Sequence, residues 1–121
     1  MNSENTILFR FAEKEITVAL VDNSATRSLV ALLPLSLEFE DYAGAEKISY
    51  LPKALDTSEV PAGHAPQAGE LTLYAPWGNL AFFYREHGYA RGLVPLGHIV
   101  SGTDLLMELD RAGVVQLERV P

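Results

Sequence analysis

The chain has 121 residues, no Cys, and 16 acidic against 9 basic residues, for a formal charge of −7. That composition describes a single globular domain and excludes disulfides, thiolate chemistry and Cys-ligated metals. It supplies no Lys/Arg cluster for the counterion release that drives nucleic-acid binding, and it disfavours an anionic membrane surface as partner.

The opening residues, Met1 to Thr6, carry neither a basic nor an apolar region of a signal peptide. No apolar run approaches the ~20 residues of a spanning helix. A soluble, cytoplasmic protein is therefore expected. Ile7, Phe9 and Phe11 then fall on one face of an alternating run, and Ile16, Val18 and Leu20 on one face of the apolar, β-branched run beyond the polar break Ala12-Glu13-Lys14. The pair predicts an antiparallel hairpin. Asp22-Asn23-Ser24 offers side-chain oxygens to cap a helix. Leu29, Val30, Leu32 and Leu33 give that helix its apolar stripe, and Pro34 ends it at Leu33.

Leu35 to Tyr42 alternates strictly, with Leu35, Leu37 and Phe39 inward and Ser36, Glu38 and Glu40 outward. Ala43-Gly44 turns, and Glu46 to Leu51 predicts another strand. Pro52 to Gly69, with three Pro and two Gly, predicts a long, mostly irregular loop, a class of segment that is often functional or mobile. Glu70 to Ala75 and Leu80 to Tyr84 are strands separated by the corner Pro76-Trp77-Gly78-Asn79. Glu86 to Gly92 reads as a polar loop. Leu93 to Val100 is a strand in which Pro95 marks an edge or a bulge. Ser101-Gly102-Thr103-Asp104 has capping-box spacing before the stripe Leu105, Leu106, Leu109, which Gly113 stops. Val114 to Val120 closes the pattern. About eight strands and two short helices predict a closed sheet with the helices plugging its ends.

Few chemical motifs appear. His64, His87 and His98 show no metal-ligand spacing, so no metal and no cofactor is expected. No spacing brings a Ser or Thr nucleophile to a base. Gly78-Asn79 and Gly88 to Gly92 fit no phosphate-binding fingerprint. Glu38, Glu40 and Asp41 form an acidic strand face, read either as solvated surface or as a barrel mouth for a cationic ligand.

Two sets of residues carry a family resemblance. Thr17 to Asn23 with Ala25-Thr26 and Leu29 to Leu33, then Leu80 to Tyr84, then Val94 to Leu106, resemble the second strand and first helix, the Gln-Phe-Phe strand and the Gly-Met-Asp run of cyclophilins. More closely, Leu32-Leu33-Pro34, Tyr50-Leu51-Pro52, Gly69-Glu70, Tyr74 to Asn79, Phe83-Tyr84 and Leu96 to Ile99 are similar to the recurring features of an uncharacterised bacterial and archaeal family of small cyclophilin-like proteins. The resemblance implies a mainly β fold: one cyclophilin-like domain over residues 1–121, a closed eight-stranded β-barrel with two short α-helices.

Cyclophilins lower the ~18–20 kcal/mol barrier to X–Pro rotation with an Arg on the third strand, beside a groove completed by a Gln and a Trp or His. Here the corresponding strand, Glu46 to Pro52, has no Arg. Lys47 falls nearby but is a point charge without the planar fork. Ala81 replaces the Gln, and Phe83 matches the pocket Phe. The expectation is a domain that binds a small molecule or peptide in a groove at the barrel edge without the isomerase residues. The alternatives are a prolyl isomerase-like enzyme of low activity, an enzyme using His64 or Glu46 as acid or base, and a homo-oligomeric or partner-binding module. The candidate ligand-binding residues are Tyr50, His64, Tyr74, Trp77, Asn79 and Phe83, the aromatics stacking and Asn79 hydrogen-bonding.

Overall fold

The computed structural model describes residues 5–120. Most of the polar opening segment read for a leader therefore lies outside the described residues. Strands β1 (Thr6–Phe11) and β2 (Lys14–Leu20) form the expected hairpin. Its two turn residues, Ala12 and Glu13, have φ of 49° and 61°, the positive values that a turn matching the right-handed twist of the strands requires.

Helix α1 spans Ser24–Leu32. Asn23 caps it: the Asn23 Oδ1 accepts from the Thr26 N–H at 2.9 Å, and the Thr26 hydroxyl oxygen accepts from the Asn23 N–H at 3.0 Å. Such a cap stabilises by about 1 kcal/mol. At the other end Leu33 is extended, with ψ 146°, as the following proline demands.

The predicted strand over residues 35–42 is two short ones, β3 (Leu35–Leu37) and β4 (Glu40–Tyr42). After them come β5 (Glu46–Tyr50), β6 (Gly63–His64), β7 (Glu70–Tyr74), β8 (Asn79–Phe83), β9 (Ala90–Arg91) and β10 (Leu93–Ser101). A 3-10 helix over Thr103–Arg111 and β11 (Val115–Arg119) complete the chain. Nine strands pair antiparallel in the order β3-β11-β1-β2-β10-β7-β8-β5-β4.

This is the mainly β architecture expected, with one correction. The sheet is curled into a half-barrel and not closed by hydrogen bonds. Its two edge strands, β3 and β4, are joined through only Glu38 and Phe39. The chain itself bridges the two edges, and buried Phe39 packs against Phe9 at that point, with ring centroids 6.0 Å apart.

The inner face holds the main core. Ile7, Phe9, Ile16, Val18, Leu71 and Phe82 are all completely buried, and Leu29 of α1 and Leu109 of the 3-10 helix join the same cluster. A smaller cluster of Ile48, Ala81, Phe83 and Leu93 lies apart from it.

Two local expectations are sharpened and one is corrected. Of the two readings of Pro95, an edge or a bulge, the bulge is the one present: β10 lies between β2 and β7, and the register shifts between Pro95 and Gly97. Ser101 does not cap the second helix. Gly102 occupies the cap position at φ 87°, with no side-chain cap, and a Cβ there would meet the Glu15 carbonyl at 2.7 Å. The loop over residues 52–69 is mostly irregular, as expected, but it is anchored. Gly63 and His64 pair with Arg91 and Ala90, and the loop is tied to α1 by Ser24 and Ser28. The Ser24 hydroxyl donates to the Asp56 carbonyl at 2.9 Å, and Leu55 is buried in the main core.

Candidate functional site

Antiparallel partners share a face of the sheet, and the register of four strands assembles one patch from distant segments. Tyr42 of β4 stands opposite Glu46 of β5, which stands opposite Phe83 of β8. Asn79 of β8 stands opposite Tyr74 of β7, which stands opposite Leu93 of β10. Ile48, opposite Ala81, lies between these rows. Period two sets this face against the one carrying Phe82, Leu71 and Leu73. The smaller apolar cluster is thus the floor of a site on the outer face.

Two loops raise the walls. In the β7–β8 corner, the Tyr74 carbonyl accepts from the N–H groups of Trp77 (3.2 Å) and Gly78 (2.9 Å). Gly78 sits at φ 72° with nothing within 4 Å of an added Cβ, so its role there is conformational. The turn presents Trp77, which is 50% exposed, edge-on to both Tyr42 (5.7 Å) and Tyr74 (5.4 Å).

The opposite wall is the loop after β8. His87 packs on Phe83 with ring centroids 5.6 Å apart, and its backbone N–H donates to the Pro66 carbonyl. Gly92 ties the corner to the loop over residues 52–69. Its carbonyl accepts from the Ala75 N–H at 2.8 Å, its N–H donates to the Ala62 carbonyl at 2.9 Å, and a Cβ on it would lie 2.8 Å from the Pro76 ring.

Between the walls is a cleft of about 220 Å³. A dry cavity of roughly 150 Å³ accepts benzene, so this cleft holds one ring and a small substituent. Asn79 is only 1% exposed. Its Nδ2 donates to the Leu80 carbonyl at 3.0 Å, and its Oδ1 is buried without a hydrogen-bond partner. Burial pushes the Glu46 carboxyl above its usual range, against the opposing influence of His87.

Of the expected residues, Tyr74, Trp77, Asn79 and Phe83 line this cleft. Tyr50 and His64 do not. Tyr50 stands opposite Asn79 but is 54% exposed beyond the cleft. His64 lies in β6, where its Nε2 is 3.3 Å from Glu70. Tyr42, Glu46, Ile48, His87, Ala90 and Leu93 line the cleft without having been read as ligand contacts, Glu46 having been considered only as an acid or base. The alternation of Glu46, Ile48 and Tyr50 shows that they share a face, but not that the face meets Phe83. Glu38 and Glu40 are exposed and outside the cleft. Among the described residues no group of three His, Asp or Glu could hold a metal ion, and no helix is long and apolar enough to cross a membrane.

Residues 9–118 match the family described as the cyclophilin-like family. The chain belongs to that family. The cyclophilin-like domain also superposes on the solution structure of the hypothetical protein AF2241 from Archaeoglobus fulgidus, with TM-score 0.74 and 18% identity over 99% of this chain and 98% of that one. That likeness concerns the fold. No curated protein matches the sequence.

Lys47 of the cyclophilin-like domain points away from the cleft. Its Nζ donates to Asp110 at 2.9 Å and Asp41 at 3.1 Å and sits 4.9 Å over the Tyr84 ring, while the Tyr84 hydroxyl donates to Asp41 at 2.6 Å. The hydrogen bond from Lys47 holds the Asp110 carboxyl below its usual range, and the one from Tyr84 does the same for Asp41. Burial lowers the Lys47 pKa, but its two carboxylate partners outweigh that and leave it raised. The cluster ties β4 and β5 to the 3-10 helix.

Proposed function

We propose that this cyclophilin-like domain is a small-molecule binding module whose site is the outer-face cleft beneath Trp77. The observation that carries this reading is the Asn79 Oδ1. A buried polar atom without a partner costs about 1–3 kcal/mol, and here it belongs to a residue lining an apolar, aromatic-walled cleft. A ligand that donates to that oxygen removes the cost. Half-exposed Trp77 and the rings of Tyr42 and Tyr74 supply stacking surface.

Binding accounts for these features better than prolyl isomerisation. The isomerase mechanism places a cationic donor in the groove. The groove face of β5 carries Glu46, and the nearby cation, Lys47, is engaged on the opposite face. Titration of a fragment set, followed residue by residue through amide chemical shifts, tests the proposal. Hits converging on Trp77, Asn79 and Phe83 support it, and hits that bypass these residues sink it. A large rate gain on a Pro-containing peptide, lost in Lys47→Ala without loss of fold, would establish the isomerase instead.

A further inference from the structure

Beside the Trp77 N–H and the hydroxyls of Tyr42 and Tyr74, the polar side chains that line the cleft offer acceptors. Asn79 has used its donor on the Leu80 carbonyl, which leaves an acceptor. The His87 Nδ1 lies 2.7 Å from the Gly88 carbonyl. A carbonyl can only accept, so that nitrogen carries the proton, and in the neutral ring Nε2 is an acceptor. Glu46 is an acceptor when ionised, and its carboxyl makes no hydrogen bond and no ion pair with Lys or Arg among the described residues. No Lys or Arg lines the cleft. Three acceptors therefore surround a space walled by the faces and edges of Trp77, Tyr42 and Tyr74.

We propose that the cleft selects a small organic cation, an ammonium or amidinium on a compact apolar stem, with its N–H groups directed to Glu46 and Asn79 and its stem against Trp77. Aromatic rings attract such cations through their negative faces, and a carboxylate strengthens each hydrogen bond from a charged donor. The volume of about 220 Å³ fits a ring bearing one amine. Glu46, already desolvated with its pKa raised, is the group that gains most from a cationic neighbour. This inference rests on the cleft being a binding site.

Cyclohexylamine, cyclohexanol and cyclohexanecarboxylate share a ring and differ in charge. Each is titrated with amide chemical shifts and the fluorescence of Trp77, the only Trp of the chain, as readouts. The amine is expected to bind about tenfold tighter than the alcohol, with the carboxylate weakest. In Glu46→Gln, which keeps the shape of the side chain, the amine is expected to lose its advantage over the alcohol. A lysine blocked at both ends serves as a fourth probe. Tighter binding than cyclohexylamine assigns the same chemistry to a peptide side chain, and weaker binding assigns it to a free amine. Equal affinities for the three ring probes, or preference for the carboxylate, overturn the charge selection and leave the cleft reading standing. No shift at Trp77 or Asn79 from any probe at millimolar concentration overturns both.

Discussion

Replacing Lys47 by Met separates a structural cation from a catalytic one. The side chain is 4% exposed and holds two carboxylates, Asp41 and Asp110, which are 36% and 27% exposed. Met fills most of the space left by the lysine stem, so a cavity contributes little. What is lost is the charge between two acids that remain. Removing one partner of a fully buried pair costs about 3–5 kcal/mol. Both carboxylates here keep some water, which reduces the cost to about 2–3 kcal/mol. For a domain of this size each kcal/mol shifts Tm by about 3–4 °C, so the expected fall is roughly 6–12 °C.

The loss also has a pH window. The aspartate pKa values are lowered from 3.8, so their contribution is present above 3.8 and disappears as pH falls through the lowered values. The Lys47 pKa is raised from 10.5, so its contribution is complete below 10.5 and disappears as pH rises through the raised value. Thermal and urea unfolding of both proteins across that window measures the difference. A Tm change below about 1 °C at neutral pH, or a Lys47→Met protein of unchanged stability that has lost cleft binding, refutes the assignment of Lys47 to the fold.

Three further outcomes are expected. Glu46→Gln raises Tm at neutral pH: a carboxyl whose pKa is raised on folding from 4.5 opposes the fold once ionised, so the gain is complete above the raised value and vanishes below 4.5, as unfolding scans at both pH values will show. Phe83→Ala removes the floor of the cleft and costs about 3–5 kcal/mol in urea unfolding, with fragment-induced shifts at Trp77 lost as well. Gly92→Ala strains a residue at φ 89° and drives a Cβ to 2.8 Å from Pro76, costing about 1–3 kcal/mol; the Trp77 emission spectrum shifts because the corner carrying it must move.

The period-two runs in β1, β2 and β11 were legible because each has one face in a single core, and burial imposes alternation directly on the sequence. The Asn23 cap and the stop at Pro34 were legible because they are local backbone chemistry. Ser101 misled because a capping box is only a spacing, whereas the tight approach of Gly102 to the Glu15 carbonyl is a contact across 87 positions that no local pattern records. The short strands β6 and β9 were invisible for a related reason: two residues carry no period, and only their pairing makes them strands.

By itself, then, the sequence determined the fold family, most of the core and the presented corner at Trp77, since these follow from periodicity, turn chemistry and a run of family motifs. Tertiary structure alone decided which residues meet around that corner. Tyr42, Glu46 and Phe83 form one row only because β4, β5 and β8 pair in one register, and a slip of one residue would send Glu46 to the inner face and Lys47 into the cleft. The charge of the site, acidic where a cation was sought, was therefore set by strand register, a property of the assembled sheet and not of any single segment.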